Sequence, residues 1–185
     1  MRKYIFAVML LIAGVTAVQA QRMMPKQKGL EINAGLLTKE VSENYYLNVM
    51  LTVNGKNGNY WLWGAEYTHQ VSDYRDLRIP LEAYTGEVGY SLQLLGNARK
   101  SITLNAGVTA VAGYETINRS KATLYDGSTI LNKDNFIYGV GGRLSFETYL
   151  SDRFVLLLQG RTKVVWGTDL KQFRPSAGVG LRFNF

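Results

Sequence analysis

Two groups of residues in this 185-residue chain have side chains suited to chemistry. His69, the one histidine, is followed closely by Ser72 and Asp73. An imidazole, a hydroxyl and a carboxylate are what nucleophilic acyl transfer requires. The three must converge within hydrogen-bond reach, with the base oriented by the third group. His69 stands where an alternating segment runs out into polar residues, and side chains this close in an extended chain seldom meet as a triad. A histidine at the rim of a sheet is the simpler reading. The second group consists of Glu31, Glu66, Glu87, Glu115 and Glu147 with Arg143, Arg161, Lys163 and Arg182, each on the polar side of an alternating segment. Opposed charges on one face are suited to pairing in a confined space. A metal site needs clustered His, Cys or carboxylate ligands, and the sequence offers no such cluster. Gly139-Val140-Gly141-Gly142 is not followed by a helical pattern, so it is no phosphate loop. We therefore expect no catalytic residues, no cofactor and no metal.

The elements that position these charges are strands. Over Arg174 to Phe185, Pro175, Ala177, Val179, Leu181, Phe183 and Phe185 share one face, and Arg174, Ser176, Gly178, Gly180, Arg182 and Asn184 the other. Seven earlier segments show the same period of two, centred on Leu30–Leu36, Tyr45–Val53, Trp61–Thr68, Tyr84–Leu92, Ile102–Glu115, Phe136–Leu150 and Phe154–Trp166. Each is long enough to cross a membrane as a tilted strand. Because every backbone group must be paired within lipid, the spanning sheet has to close. The expected fold is all-β, an eight-stranded antiparallel transmembrane β-barrel. Val179, Leu181, Phe183 and Phe185 would form the apolar face of its C-terminal insertion strand.

The connections sort by length. Asn54 to Asn59, Gly96 to Lys100 and Ser151-Asp152 read as tight turns, with Asn-Gly supplying the required backbone angles. Val71 to Ile79 and Ile117 to Asp134 read as longer loops. Short periplasmic turns and longer outer loops are the asymmetry of an outer-membrane barrel. A soluble barrel also alternates, with its oily face inside. Here the polar face is rich in Gly, Ser, Thr, Asn and Gln with sparse charges of both signs, which suits a narrow lumen better than bulk water. The nine charges above are accordingly expected to form a lumenal network, since an unpaired buried charge costs about 3–5 kcal/mol. Eight strands leave room only for side chains, so no open pore is expected. Trp61, Trp63, Tyr84, Tyr114, Tyr138, Phe154, Trp166 and Phe183 fall toward strand ends on the oily face, where rings settle at a lipid–water interface.

At the other end of the chain, Arg2 and Lys3 precede an apolar run from Tyr4 to Val15 and the small-x-small site Val18-Gln19-Ala20. This pattern predicts a signal peptide over residues 1–20, followed by a periplasmic arm over 21–29 and the barrel over 30–185. The formal charge of +7 becomes +5 once Arg2 and Lys3 are removed. The remaining cations are scattered among turns and loops and are not gathered on one stripe, so direct nucleic-acid binding is not expected. Cysteine is absent, which excludes disulfide staples and a lipidated cysteine.

The stretch Gln21 to Gly35, the stretch Tyr138 to Arg143 with Glu147 to Arg153, and the ending Phe173 to Gly178 resemble the conjugative transposon protein TraO family of Bacteroidetes. The resemblance spans nearly the whole chain and includes no catalytic signature. It implies a component of the apparatus that transfers a conjugative element between cells. Beside the barrel reading, it leads us to expect a non-enzymatic protein of a Gram-negative outer membrane. Its partners would be outer-membrane lipid and other transfer proteins, which it would anchor or organise. The alternative is a general envelope or adhesin-like barrel acting through its outer loops.

Overall fold

A computed structural model describes residues 25–37, 43–74, 77–97, 101–118, 134–168 and 171–185, with side chains throughout except for 72–78. The expected signal segment and the first residues of the arm, through Met24, lie outside the described residues. The described chain forms β1 Lys28–Leu37, β2 Tyr45–Asn54, β3 Tyr60–Tyr74, β4 Leu77–Gly96, β5 Ile102–Ile117, β6 Asp134–Tyr149, β7 Phe154–Trp166 and β8 Phe173–Asn184. Each strand pairs antiparallel with the next, and β8 returns to β1 from Gly29↔Asn184 to Leu37↔Ser176, closing the barrel. Closure removes both sheet edges.

Alternation sets the two faces. Leu30, Ile32, Leu47, Val49, Leu51, Val108, Val140, Leu156, Leu158, Val179 and Leu181 point outward and are exposed, while Glu31, Asn33, Asn48, Ser145, Gln159 and Arg182 point inward and are buried. This arrangement is the inverse of a water-soluble fold, and hydrocarbon is the solvent that makes it stable. The 13-residue β7 carries Phe154 and Trp166 at its ends. At about 3.3 Å per residue and a tilt of about 40°, they are separated by roughly 30 Å in height. That matches the hydrocarbon core of a bilayer.

The turn between β2 and β3 follows from its sequence. Asn57 and Gly58 have φ of 62° and 78°, and Asn59 N–H donates to the Lys56 carbonyl at 3.2 Å. Positive φ at both central residues gives the hairpin turn whose twist matches the flanking strands. The short connections β2–β3, β4–β5 and β6–β7 share one end of the barrel with the start of β1 and the end of β8, here called the turn end; the opposite end is the loop end.

Three boundaries differ from the sequence reading. β1 begins at Lys28, so the last two residues of the expected arm belong to the barrel wall. Within Val71 to Ile79, read as a loop, the described residues instead extend the β3–β4 ribbon, with Val71↔Pro80, Ser72↔Ile79 and Asp73↔Arg78 paired. That extension stands beyond the apolar band, where neither face has to be oily and the period of two disappears. β4 also runs on to Gly96, with a bulge at Leu94 that leaves both Leu94 and Leu95 exposed.

Candidate functional site

The inner face carries the chain's concentrated chemistry. Near the turn end, Arg182 is the hub. Its Nε and Nη2 donate to Glu31 Oε2 at 3.0 and 2.8 Å, and its Nη1 donates to Glu147 Oε2 at 2.9 Å. Arg143 Nη2 reaches the other Glu31 oxygen at 3.0 Å, joined there by Gln159 and Asn33 at 2.9 and 2.8 Å. Tyr60 and Tyr149 donate their phenols to Glu147 at 2.5 and 3.3 Å, and Ser145 donates at 3.1 Å. The Arg182 guanidinium lies 4.4 Å over the Tyr60 ring. All of these groups are removed from water, so each remaining lone pair needs a donor, and the phenols and amides supply it.

A second knot sits nearer the loop end. Arg161 donates to Glu66 through Nη1 and to both oxygens of Glu87 through Nη2, the latter at 2.9 Å. Lys163 Nζ bonds Glu66 Oε1 at 2.6 Å and also pairs with Glu87. Asn33 donates to Asn48 at 3.0 Å, and Asn48 reaches Glu66 at 3.5 Å, linking the two knots. At the loop-end mouth, Arg174 and Thr168 each hold Glu115 at 2.6 Å. Among the described residues, five inward carboxylates therefore face five inward cations, and the lumen is electrically neutral.

The structure thus brings Glu31, Arg143, Glu147 and Arg182 together in one knot and Glu66, Glu87, Arg161 and Lys163 in another. It places Glu115 apart at the mouth with Arg174. Arg174 was grouped by sequence with the scattered loop cations, although the alternation of the last strand already set it on the polar face. Tyr46 lies on the polar face that its alternation gives it, and Tyr60 and Tyr149, at the ends of β3 and β6, add inward phenols that the sequence reading does not single out. The lumen is more apolar than its sequence suggested. Met50, Tyr60 and Leu62 pack together at the turn end, and Ala83, Ile137 and Val165 at the loop end. Inward glycines make room for the large groups: a Cβ on Gly107 would stand 3.0 Å from Arg143 Cγ.

One small void lies beside Lys163. A cavity of about 20 Å³ is bordered by Tyr46, Glu66, Thr68, Thr85, Lys163 and Arg174. That is room for one water molecule. Among the described residues no three His, Asp or Glu side chains converge as a metal would require. His69 packs tilted against Tyr45, with ring centroids 5.3 Å apart, in the loop-end ring cluster, and Ser72 and Asp73 follow in the same strand. At about 3.3 Å per residue, their backbones lie about 10–13 Å along the strand from His69, which strands the trio.

On the outer face, two groups of rings sit at opposite ends. Trp61 and Trp63 stack at 6.2 Å at the turn end, where Phe154, Phe183 and Phe185 also form a chain of contacts. Tyr114, Phe136, Tyr138 and Trp166 form another chain at the loop end. Val179, Leu181 and Phe185 are exposed on the lipid face of β8, and Phe183 is partly covered by its ring neighbours.

A closed eight-stranded barrel with an oily exterior, paired ring girdles and a filled lumen defines the class of small membrane β-barrels. Two solved structures share the fold. Neisserial surface protein A matches with a TM-score of 0.54 and 10% identity, covering 86% of this chain and 95% of that one. The N-terminal β-barrel domain of Pseudomonas aeruginosa OprF matches with a TM-score of 0.51 and 11% identity, covering 87% and 98%. Among curated proteins nothing matches. The family model described as conjugative transposon protein TraO matches residues 24–185. The chain belongs to the TraO family, and that membership implies a role in conjugative transposon transfer.

Proposed function

We propose that this protein is a non-enzymatic outer-membrane component of the mating apparatus, anchoring or organising other transfer proteins. The observation that carries this reading is the filled lumen. A barrel plugged by five ion-paired carboxylates and two apolar clusters offers no passage to a DNA strand, so its contribution must come from its two ends. With the start of β1 and the end of β8 at the turn end, that end faces the periplasm in this reading and the loop end faces outward. Residues 1–20 are the secretory signal in this scheme, and the chain leaves the membrane toward the periplasm as the arm.

The described part of the arm is held in place. Lys26 N–H donates to the Asn54 carbonyl at 2.7 Å, and Asn54 N–H donates to the Gln27 carbonyl at 2.8 Å. Residues 21–24, which lie outside the described residues, are the part assigned to engaging a partner in this reading. Removing residues 21–24 is expected to lower transfer frequency several-fold while leaving the amount of heat-shifted barrel in the outer-membrane fraction unchanged. Unchanged transfer would sink the docking role, and a soluble protein with no heat shift would sink the barrel placement.

The β3–β4 ribbon favours a second reading, an envelope or adhesin-like barrel that binds at the cell surface. It carries backbone pairing out to Tyr74↔Leu77, well past the ring girdle at Tyr67 and Tyr84. Shortening the ribbon to a turn at Gln70 and Leu81 separates the two: lost surface binding with normal transfer selects the envelope role.

A further inference from the structure

The barrel reading divides the chain's charge into three zones. Removing Arg2 and Lys3 with the signal leaves a net charge of +5. The lumen is neutral, with Glu31, Glu66, Glu87, Glu115 and Glu147 set against Arg143, Arg161, Lys163, Arg174 and Arg182. The segments beyond the loop end are nearly balanced, with seven basic and eight acidic residues when Glu82 is included. The turn-end segments carry Arg22, Lys26, Lys28, Lys56, Arg99, Lys100 and Arg153 against Asp152. The whole excess of positive charge therefore belongs to one end of the barrel.

Four of these cations lie on one continuous arc of the described rim. Asn184 N–H bonds the Arg153 carbonyl at 2.7 Å, and Phe185 and Lys28 exchange backbone bonds at 2.8 and 3.2 Å. Lys26 is tied to Asn54 at 2.7 Å, two residues before Lys56. Arg153, Lys28, Lys26 and Lys56 are all exposed, and with Asp152 counted the arc still carries excess positive charge. Lys28 points to the lipid side of β1, level with Val53 and Trp61 in the neighbouring strands. Phe185 stands level with Lys28 across the β1–β8 seam, and the rings of Phe183 and Phe154 lie above it beside Leu30, with centroids 6.3 Å (Phe183–Phe185) and 5.2 Å (Phe154–Phe183) apart. Cations bordering a ring girdle on its outward side stand at the height of lipid headgroups. A protein docking from below would call for charge on the underside and would have no use for Lys28 beside the rings.

We infer that the arc Lys26, Lys28, Lys56 and Arg153 binds the phosphates of anionic phospholipids in the periplasmic leaflet. Its chemistry is multivalent ammonium and guanidinium contact with phosphate, with the acyl chains lying against Phe154, Phe183 and Leu30. This fixes the barrel's depth and surrounds its periplasmic rim with acidic lipid. The inference rests on the outer-membrane placement proposed above.

The test uses the full mature chain with Trp166→Phe, so that Trp61 and Trp63 at the turn end are the remaining reporters. The protein is folded into phosphatidylcholine vesicles containing a minor fraction of brominated phosphatidylglycerol or, in parallel, brominated phosphatidylcholine. Quenching then gives the relative occupancy of the rim. Phosphatidylglycerol should be preferred about fivefold at low salt. The preference should vanish at high salt, and also in the variant combining Lys26→Gln, Lys28→Gln, Lys56→Gln and Arg153→Gln. No preference in the parent chain overturns the inference, as does an equal preference in the variant. A variant that loses transfer while the parent shows no lipid preference also overturns it and points to an acidic protein partner. A parent chain that gives no heat-shifted band in the vesicles refutes the barrel placement itself, a failure distinct from the others.

Discussion

The two lumenal knots have the same composition and different wiring. Each contains two carboxylates and two cations, all buried except Lys163, which is partly so. In the loop-end knot, Arg161 and Lys163 each touch both Glu66 and Glu87, so either cation can be lost while the two acids remain paired. In the turn-end knot, Glu31 has Arg143 and Arg182, but Arg182 is the only described cation on Glu147. Neutral donors compensate there: Tyr60, Tyr149 and Ser145 surround Glu147, while Gln159 and Asn33 serve Glu31. The loop-end knot also borders the small cavity and keeps Lys163 partly accessible, with 11% of its side chain exposed against 1% for Arg182. One knot is redundant and slightly wet, and the other is dry and depends on a single residue.

This difference predicts an order of sensitivity. Arg182→Leu strips Glu147 of its cation and leaves a buried charge, so it should cost about 3–5 kcal/mol. Urea unfolding of the folded barrel in vesicles, followed by tryptophan emission, measures this. A loss below about 1 kcal/mol would show that the phenols alone hold the carboxylate. The double variant Arg182→Leu with Glu147→Leu removes both the charge and its partner, and should recover part of the loss in the same assay, because what is costly is the unpaired ion. If the double variant is as unstable as the single, the site depends on packing around Tyr60 and not on charge.

The redundant knot should respond less. Lys163→Met leaves Arg161 bonded to both Glu66 and Glu87, and removes hydrogen bonds to charged groups worth about 1.5–3 kcal/mol. A loss as large as that of Arg182→Leu would erase the distinction between the knots.

The faces of the barrel were legible in the sequence because alternation is a direct image of two solvents. Lipid on one side and a narrow polar lumen on the other force the period of two wherever the wall crosses the membrane. Three kinds of feature were not legible. The β3–β4 ribbon runs on past the apolar band, so Ser72 and Asp73 read as a loop although their backbones are paired. In Phe154-Val155-Leu156-Leu157-Leu158 both faces are apolar, so the buried Val155 and Leu157 left no trace in the pattern. The charges themselves were readable, but their pairing was not: Arg182 meets Glu31 across the β1–β8 seam, 151 positions apart in the chain. Which carboxylate a cation finds depends on barrel stagger, which no local pattern encodes.

Arg174 marks where that limit can be tested most finely. It lies where β8 leaves the loop-end mouth, and its partner Glu115 is also held by Thr168. Thr168 further accepts a bond from Arg174 Nη2 at 3.0 Å, making a closed triangle that restrains the start of β8. Thr168→Val keeps the side-chain shape and removes the hydroxyl, so Glu115 loses one donor and Arg174 one acceptor while their ion pair survives. The expected cost is about 0.5–1.5 kcal/mol, the smallest of the series. The same variant should raise amide exchange in the first residues of β8 and leave the Arg182 end unchanged. Exchange rising equally at both ends would mean that the mouth and the dry knot open together, and the lumen would then behave as one network instead of two.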